Sequence, residues 1–237
     1  MKQANKDRAP ARPSQDRPAE SGRSDQAEPV SELTTNRLSV YLRCLNALEA
    51  AGVRTVSSQA LAEQFQLNAA QIRKDLAYFG AFGVRGVGYY VKELRRHLRQ
   101  ILGLDRHVAI AIMGAGNLGL ALADYPGFRE EGFEITALFD TMRDKIGQRS
   151  RAGVPIYDAR EFRRMARRAR IRIAVIAVPA ESAQAVVNTV VAAGIKAVLN
   201  FSPGTLKVPA DVKLKSVDLT VSLESLSFFL AQGEADA

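Results

Sequence analysis

The sequence predicts an α/β chain in two parts: a small helical domain, then a doubly wound parallel sheet. Three observations carry this expectation. The basic surplus is concentrated in one segment. That segment reads as short helices followed by a glycine-rich hairpin. Beyond it, a glycine fingerprint sits between an apolar strand and a helix, and strands then alternate with helices.

The 237 residues hold 33 Lys and Arg against 25 Asp and Glu, a net charge of +8, with 47% apolar residues. That apolar content supports a real core and excludes a wholly disordered chain. Residues 1–33 hold six basic and six acidic residues, four prolines and almost no apolar periodicity. They are expected to be a disordered extension. Residues 34–100 hold ten basic and four acidic residues, and 101–237 hold 17 and 15. One cysteine, Cys44, excludes a disulfide scaffold and a Cys-based zinc site, and two histidines, His97 and His107, leave too few ligands for a His-rich metal site. No apolar run approaches the ~20 residues of a membrane span, and no signal-peptide core is visible. The cytoplasm is the expected compartment.

In the basic segment, Leu38, Tyr41, Leu42, Leu45 and Leu48 recur at helical spacing, with Gly52 as a stop. This predicts a first helix over about 35–51. Ser57 or Ser58 can cap a short helix 59–66. Leu67 and Asn68 form a turn, and a third helix spans 69–79. Its core face carries Ile72, Leu76 and Phe79. The other face carries Gln71, Arg73, Lys74 and Tyr78. Two short helices with a tight turn and a basic second helix match the helix-turn-helix. The run Gly80 to Tyr90 holds four glycines among apolar residues and predicts a two-stranded wing with Arg85 at its tip. Arg73 and Lys74 are placed to read or flank base edges. Arg37, Arg43, Ser58 and Arg85 are placed to hold phosphates. Asp75 is read as an intrahelical or capping partner. Helix 92–102 then links this domain, 34–102, to the next.

The second domain, 103–216, opens with the apolar strand 107–113 and continues as Gly114-Ala115-Gly116-Asn117-Leu118-Gly119 into a helix at 120–125. Strand, glycine fingerprint and helix in that order are the context a dinucleotide loop needs. Gly114 permits the turn, Gly116 lets backbone approach a pyrophosphate, and Gly119 allows close helix packing. Strand 133–139 ends at Asp140, 24 residues beyond Gly116. A carboxylate there accepts from ribose hydroxyls and repels a 2′-phosphate, which favours NAD(H) over NADP(H). Arg143 and Lys145 nearby weaken that discrimination. Strands 154–157, 171–178 and 195–200 alternate with helices 159–170 and 183–193, a Rossmann-like pattern. The strand ends Gly114, Asp140, Val178-Pro179 and Asn200 define the expected ligand crevice. Arg163, Arg164, Arg167, Arg168 and Arg170 form either an exposed helix face or a second nucleic-acid patch.

Catalytic groups are not expected. Both histidines precede the fingerprint, and none of the six tyrosines has a lysine four residues on. A dehydrogenase needs such a proton donor near the nicotinamide.

The stretches Gln71 to Leu76, Tyr78-Phe79-Gly80 and Arg85-Gly86-Val87-Gly88-Tyr89 resemble the redox-sensing transcriptional repressor Rex family. So do Gly116 to Gly119, Phe139-Asp140, Val178-Pro179-Ala180, Gly194-Ile195-Lys196 and Leu199-Asn200-Phe201. The resemblance spans about 34–232. It implies a homodimer that binds an inverted-repeat operator and represses genes of fermentative or respiratory metabolism. It implies that NADH lowers DNA affinity, while NAD⁺ competes without doing so. It implies a C-terminal helix, within 217–237, swapped across the dimer; here that helix is expected at 223–232. Tyr125 and Asp218 resemble switch residues that pair across subunits. The sequence departs from the family pattern in its N-terminal extension and in Met113 and Ala115. The alternatives are an NAD-dependent dehydrogenase with a DNA-binding arm, and a repressor that binds another nucleotide such as a CoA derivative.

Overall fold

The computed structural model describes residues 30–235. Most of the expected disordered extension, 1–29, lies outside the described residues. The first helix, α1 (Glu32–Ala50), starts three residues earlier than expected because Ser31 caps it, its side chain accepting from the Thr34 N–H. Leu38, Tyr41, Leu42, Leu45 and Leu48 form its buried stripe, and Cys44 is buried beside them. Burial pushes the Cys44 thiol pKa up, which keeps it protonated and unreactive.

A short strand β1 (Thr55–Val56) precedes α2 (Ser58–Phe65), which Ser57 caps. Asn68 caps α3 (Ala69–Phe79) through the Gln71 N–H. The wing differs from the expected two-stranded ladder. Only Val84 and Gly88 bridge across its turn. The following strand β2 (Tyr89–Tyr90) pairs with β1 instead. Gly88 explains the choice: its φ is +95°, and a Cβ there would lie 2.5 Å from the Val56 carbonyl oxygen. The wing is therefore pressed onto β1 and has little room for a ladder of its own. Helix α4 (Val91–Ile101) packs back on α1, with Arg95 paired to Glu49 at 2.7 Å.

The second domain is a six-stranded, all-parallel sheet of β3 (Val108–Met113), β4 (Phe133–Asp140), β5 (Ile156–Asp158), β6 (Ile173–Ile176), β7 (Ala197–Asn200) and β8 (Lys213–Ser216). The spatial order is β5-β4-β3-β6-β7-β8, so the order reverses between β3 and β6. That reversal places a crevice at the strands' carboxyl ends. β8 was not expected. Its alternation of Lys213, Leu214, Lys215 and Ser216 half-buries one leucine, so it lacks an apolar run.

The connecting helices are α5 (Asn117–Ala123), α6 (Gly127–Glu130), α7 (Phe162–Arg168) after a 3₁₀ turn Ala159–Glu161, and α8 (Ala180–Ala192). α5 begins at Asn117, three residues before the expected start, because Gly116 is already its cap. One face of the sheet packs under α7 and α8 through Phe139, Phe162, Ile176, Val187 and Val190. The other packs under α5 through Ile112, Leu138 and Ala123. No helix connects β7 to β8, so part of that second face stays open. There Ile110, Ile173, Val175, Leu199 and Phe201 line an apolar hollow of about 280 Å³.

The last helix, α9 (Leu219–Ala235), is longer than expected. Its Leu219, Val221, Leu223, Leu226, Phe228, Phe229 and Leu230 are 58–72% exposed. The start of α1 meets the edge strand of the sheet: Glu32 pairs with Lys213 at 3.0 Å and Lys215 at 3.3 Å. Among the described residues no helix is long and apolar enough to cross a membrane. Nor is there a metal-ligating cluster among them.

Candidate functional site

The end of β3, the end of β4 and the segment after β6 enclose a cleft of about 410 Å³. Gly114, Gly116, Asp140, Lys145, Val178 and Pro179, all expected at the ligand, line it together. The glycines divide their labour as the fingerprint requires. Gly114 has φ +106°, and a Cβ would lie 2.3 Å from the Ala177 carbonyl oxygen. At Gly119 a Cβ would lie 1.9 Å from the Gly114 carbonyl oxygen, so only glycine lets α5 pack this close. At Gly116 a Cβ would meet nothing within 4 Å. The absence of a side chain there leaves open space that a pyrophosphate fits.

Asp140 closes the other side. Its Oδ2 accepts from the Ala115 N–H at 2.8 Å. Its Oδ1 accepts from the Thr141 and Met142 N–H groups at 2.8 and 2.9 Å. Lys145 Nζ lies 3.7 Å away. Burial raises the Asp140 pKa, but the Met142, Ala115 and Thr141 N–H groups and Lys145 outweigh it, so the carboxyl sits below its ordinary value. A carboxylate offers about four acceptor positions. Three are taken, which leaves room for one hydroxyl.

Five expected residues, Ala115, Asn117, Leu118, Gly119 and Asn200, are not part of the cleft lining. Asn200 is fully buried. Its Nδ2 donates to the Ser202 carbonyl at 2.9 Å and its Oδ1 accepts from the Ser202 N–H at 2.9 Å. Its side chain thus pins the loop after β7. Ser202 Oγ in turn donates to the Val178 carbonyl at 2.6 Å, tying that loop to the cleft wall. Leu118 points into a separate small hollow with Phe201, Ser202 and Asp218. Asn117 is the first residue of α5. Sequence reasoning missed Thr141, Met142 and Ser182, which also line the cleft. The signal for the first two was their place immediately after the carboxylate, where backbone N–H groups face it.

The expected switch pair is separated within one chain. Tyr125 is 57% exposed, its ring edge-on to Phe128 at 5.1 Å, in a cleft of its own. Asp218 caps α9, accepting from the Thr220 N–H at 2.9 Å.

In the helical domain Arg43, Arg73, Lys74, Tyr78, Arg85 and Gly86 are all exposed. Arg73 donates to Ser58 Oγ at 2.9 Å, joining the two helices of the turn motif on their outer side. Arg37 and Gln71 are held inward. Arg37 donates to both oxygens of Asp75, at 2.6 and 2.8 Å, and Gln71 donates at 2.7 Å. Arg37, expected to hold a phosphate, is one-third exposed and compensates the charge of Asp75, which is 4% exposed. Asp75 itself is a cross-helix anchor, not only an intrahelical partner.

The chain is 46% identical to the redox-sensing transcriptional repressor Rex of Desulfitobacterium hafniense over 199 residues, covering 84% of this chain and 94% of that protein. It is 50% identical over 202 residues to the Rex repressor of Syntrophomonas wolfei, covering 85% and 96%. The chain belongs to the Rex family. Residues 105–204 match the family described as "CoA binding domain", and 29–77 the family described as "Putative DNA-binding protein N-terminus". Among solved structures, RSP in complex with β-NAD⁺ and operator DNA superposes with a TM-score of 0.82 at 40% identity, covering 87% of this chain and 94% of that one. RSP in complex with β-NADH gives 0.77 at 39%, covering 87% and 97%. Rex membership thus joins the winged domain and the glycine cleft in one regulatory chain.

Proposed function

We propose that this chain is a repressor that holds an inverted-repeat operator as a homodimer and releases it when NADH enters the cleft. One observation carries the reading. A cleft whose ionisable lining groups, Asp140 and Lys145, face each other is joined to a domain that presents Arg73, Lys74 and Arg85 outward. Such a cleft can hold a dinucleotide, and its Asp140 is already engaged by three backbone N–H groups and by Lys145, which supports a binding role over an enzymatic one. RSP, its structural relative, was solved with NAD⁺ and operator DNA and with NADH.

The residues fit a dinucleotide. The open backbone at Gly116 admits the pyrophosphate, and the free acceptor position of Asp140 takes a ribose hydroxyl. Val178 and Pro179 wall the nicotinamide side. Reduced and oxidised nicotinamide differ by one positive charge, which is the signal to be read. The apolar α9 stays dry by docking into the hollow of the partner's sheet; each large apolar side chain so buried contributes ~1.5–3 kcal/mol. That swap brings Asp218 toward the partner subunit, where it pairs with Tyr125 and reports the cleft's state. Two α3 helices then move in or out of successive major grooves, about 34 Å apart. A 100-fold loss of operator affinity requires about 2.7 kcal/mol of differential binding.

The match to a CoA-binding family favours one second reading, a CoA derivative in the same cleft. An ionised Asp140 disfavours a phosphorylated ribose. Calorimetry with NADH, NADPH and CoA separates the two readings. Operator binding by fluorescence anisotropy tests the main one. NADH is expected to weaken binding and NAD⁺ to leave it; an affinity indifferent to NADH contradicts the reading.

A further inference from the structure

We infer that the arginine surface of α7 is a second contact for DNA, gripping the phosphate backbone outside the winged domains without reading sequence. Residues 160–172 carry seven arginines, no lysine and one acid, Glu161. The near-neutral balance of the second domain hides this cluster. All seven side chains are exposed. Arg160 pairs with Asp158 and Arg164 with Glu161 at 2.6 Å. Arg163, Arg167, Arg168, Arg170 and Arg172 have no acidic partner among the described residues.

Spacing aligns them. Arg163 and Arg167 lie one turn apart on α7, as do Arg164 and Arg168, so each pair repeats at about 6 Å along the helix. That is a row of cations on the scale of a phosphate backbone. The buried side of α7, Phe162 and Ala166, packs on the sheet and leaves the arginines to solvent.

The end of α7 is shaped for this surface at some conformational cost. Arg170 sits at φ +51°, while the Ile171 N–H closes on the Ala166 carbonyl at 2.9 Å. Helix ends of this form normally use glycine at that position. An arginine there keeps the row going where a glycine would fit the backbone better.

Position agrees with charge. The Arg172 N–H donates to the Ala109 carbonyl at 2.9 Å, and Ile173 pairs with Ile110. Arg170 and Arg172 therefore lie at the amino ends of the strands, the end where α4 delivers the chain from the winged domain. The nucleotide cleft is at the opposite end. The partner is best matched by a polyphosphate. Arginine forms paired hydrogen bonds to phosphate oxygens, and no exposed aromatic or large apolar side chain lies among these residues to anchor a protein.

The test is binding of the full chain to a 60-base-pair duplex of mixed sequence, of about that length to exceed one operator, followed by anisotropy across salt concentrations. Replacing Arg163, Arg167, Arg168 and Arg170 together by Gln is expected to flatten the slope of log affinity against log salt by two or more, since each phosphate contact contributes ~0.9. Affinity at moderate salt is expected to fall at least tenfold. The corresponding four-Lys variant is expected to keep most of the slope. NADH fluorescence checks that the Gln variant is folded. A smaller change in slope overturns the inference, including the case in which the surface instead serves an acidic protein. The duplex lacks an operator, so failure of the repressor reading would appear only in the NADH response.

Discussion

Arg37 on α1 donates two parallel hydrogen bonds, 2.6 and 2.8 Å long, to the buried carboxylate of Asp75 on α3. Tyr41 adds a third at 2.9 Å. The helix that presents Arg73 and Lys74 is thus anchored to the first helix by an ion pair, not only by apolar packing. Burial raises the Asp75 pKa, but hydrogen bonds from Arg37, Gln71 and Tyr41 outweigh it and hold it below its ordinary value.

Replacing Arg37 by Ala leaves that carboxylate buried and unpaired. The winged domain is expected to lose about 2 kcal/mol, less than a fully buried pair because the Arg37 side chain is one-third exposed. Operator affinity should fall with it, while NADH affinity stays unchanged. Chemical denaturation and NADH fluorescence on the same variant check both. The sign with pH follows from the depressed Asp75 value. The pair's contribution is full above the ordinary aspartate value of about 3.9 and is lost as pH falls through the lower folded value. Acid denaturation of Asp75→Asn should therefore show a weaker pH dependence in that range.

Gly116 and Gly119 separate binding from folding. Gly116→Val is expected to fold, because nothing lies within 4 Å of the added Cβ, and to lose at least tenfold in NADH affinity. Gly119→Ala forces its Cβ onto the Gly114 carbonyl oxygen and should lower the melting temperature instead. Thermal melts beside NADH titrations distinguish the two.

Asp140 is expected to set which dinucleotide is preferred. Asp140→Ser removes the charge beside Lys145 and is expected to shift the NADH-to-NADPH affinity ratio at least tenfold toward NADPH. Competitive titration of the two dinucleotides reads this directly.

The exposed stripe of α9 predicts a dimer. Leu223→Ser with Leu226→Ser and Leu230→Ser is expected to turn the dimer into a monomer in light scattering, since those side chains are 60–72% exposed within one chain. Operator affinity should drop sharply, because a monomer meets one half-site. Tyr125→Phe should leave the dimer and NADH affinity intact and weaken the release of DNA.

Much of this was legible because it is local. Caps, glycines and apolar periods placed α3 and the fingerprint loop, and the ends of the apolar strands placed Asp140 and Pro179. What escaped depends on distance in sequence. Asp75 and Arg37 are 38 residues apart, and nothing around either residue advertises the other. β8 has no apolar run because it is a short, polar edge strand. Asn200 stands at a strand end among ligand-lining residues, and only its burial shows that it serves the loop. The wing read as a ladder because alternating glycines fit one; the close approach of Gly88 to Val56 decides otherwise.

The central claim is that one cleft governs one DNA surface. Operator affinity should be measured by anisotropy for the full chain and for Gly116→Val, each without NADH and at an NADH concentration that saturates the full chain but not the variant. The expected result is a loss of about 100-fold for the full chain, or about 2.7 kcal/mol, and no loss for the variant. Equal operator affinity with and without NADH in the full chain, or an equal NADH effect in both proteins, would contradict the account.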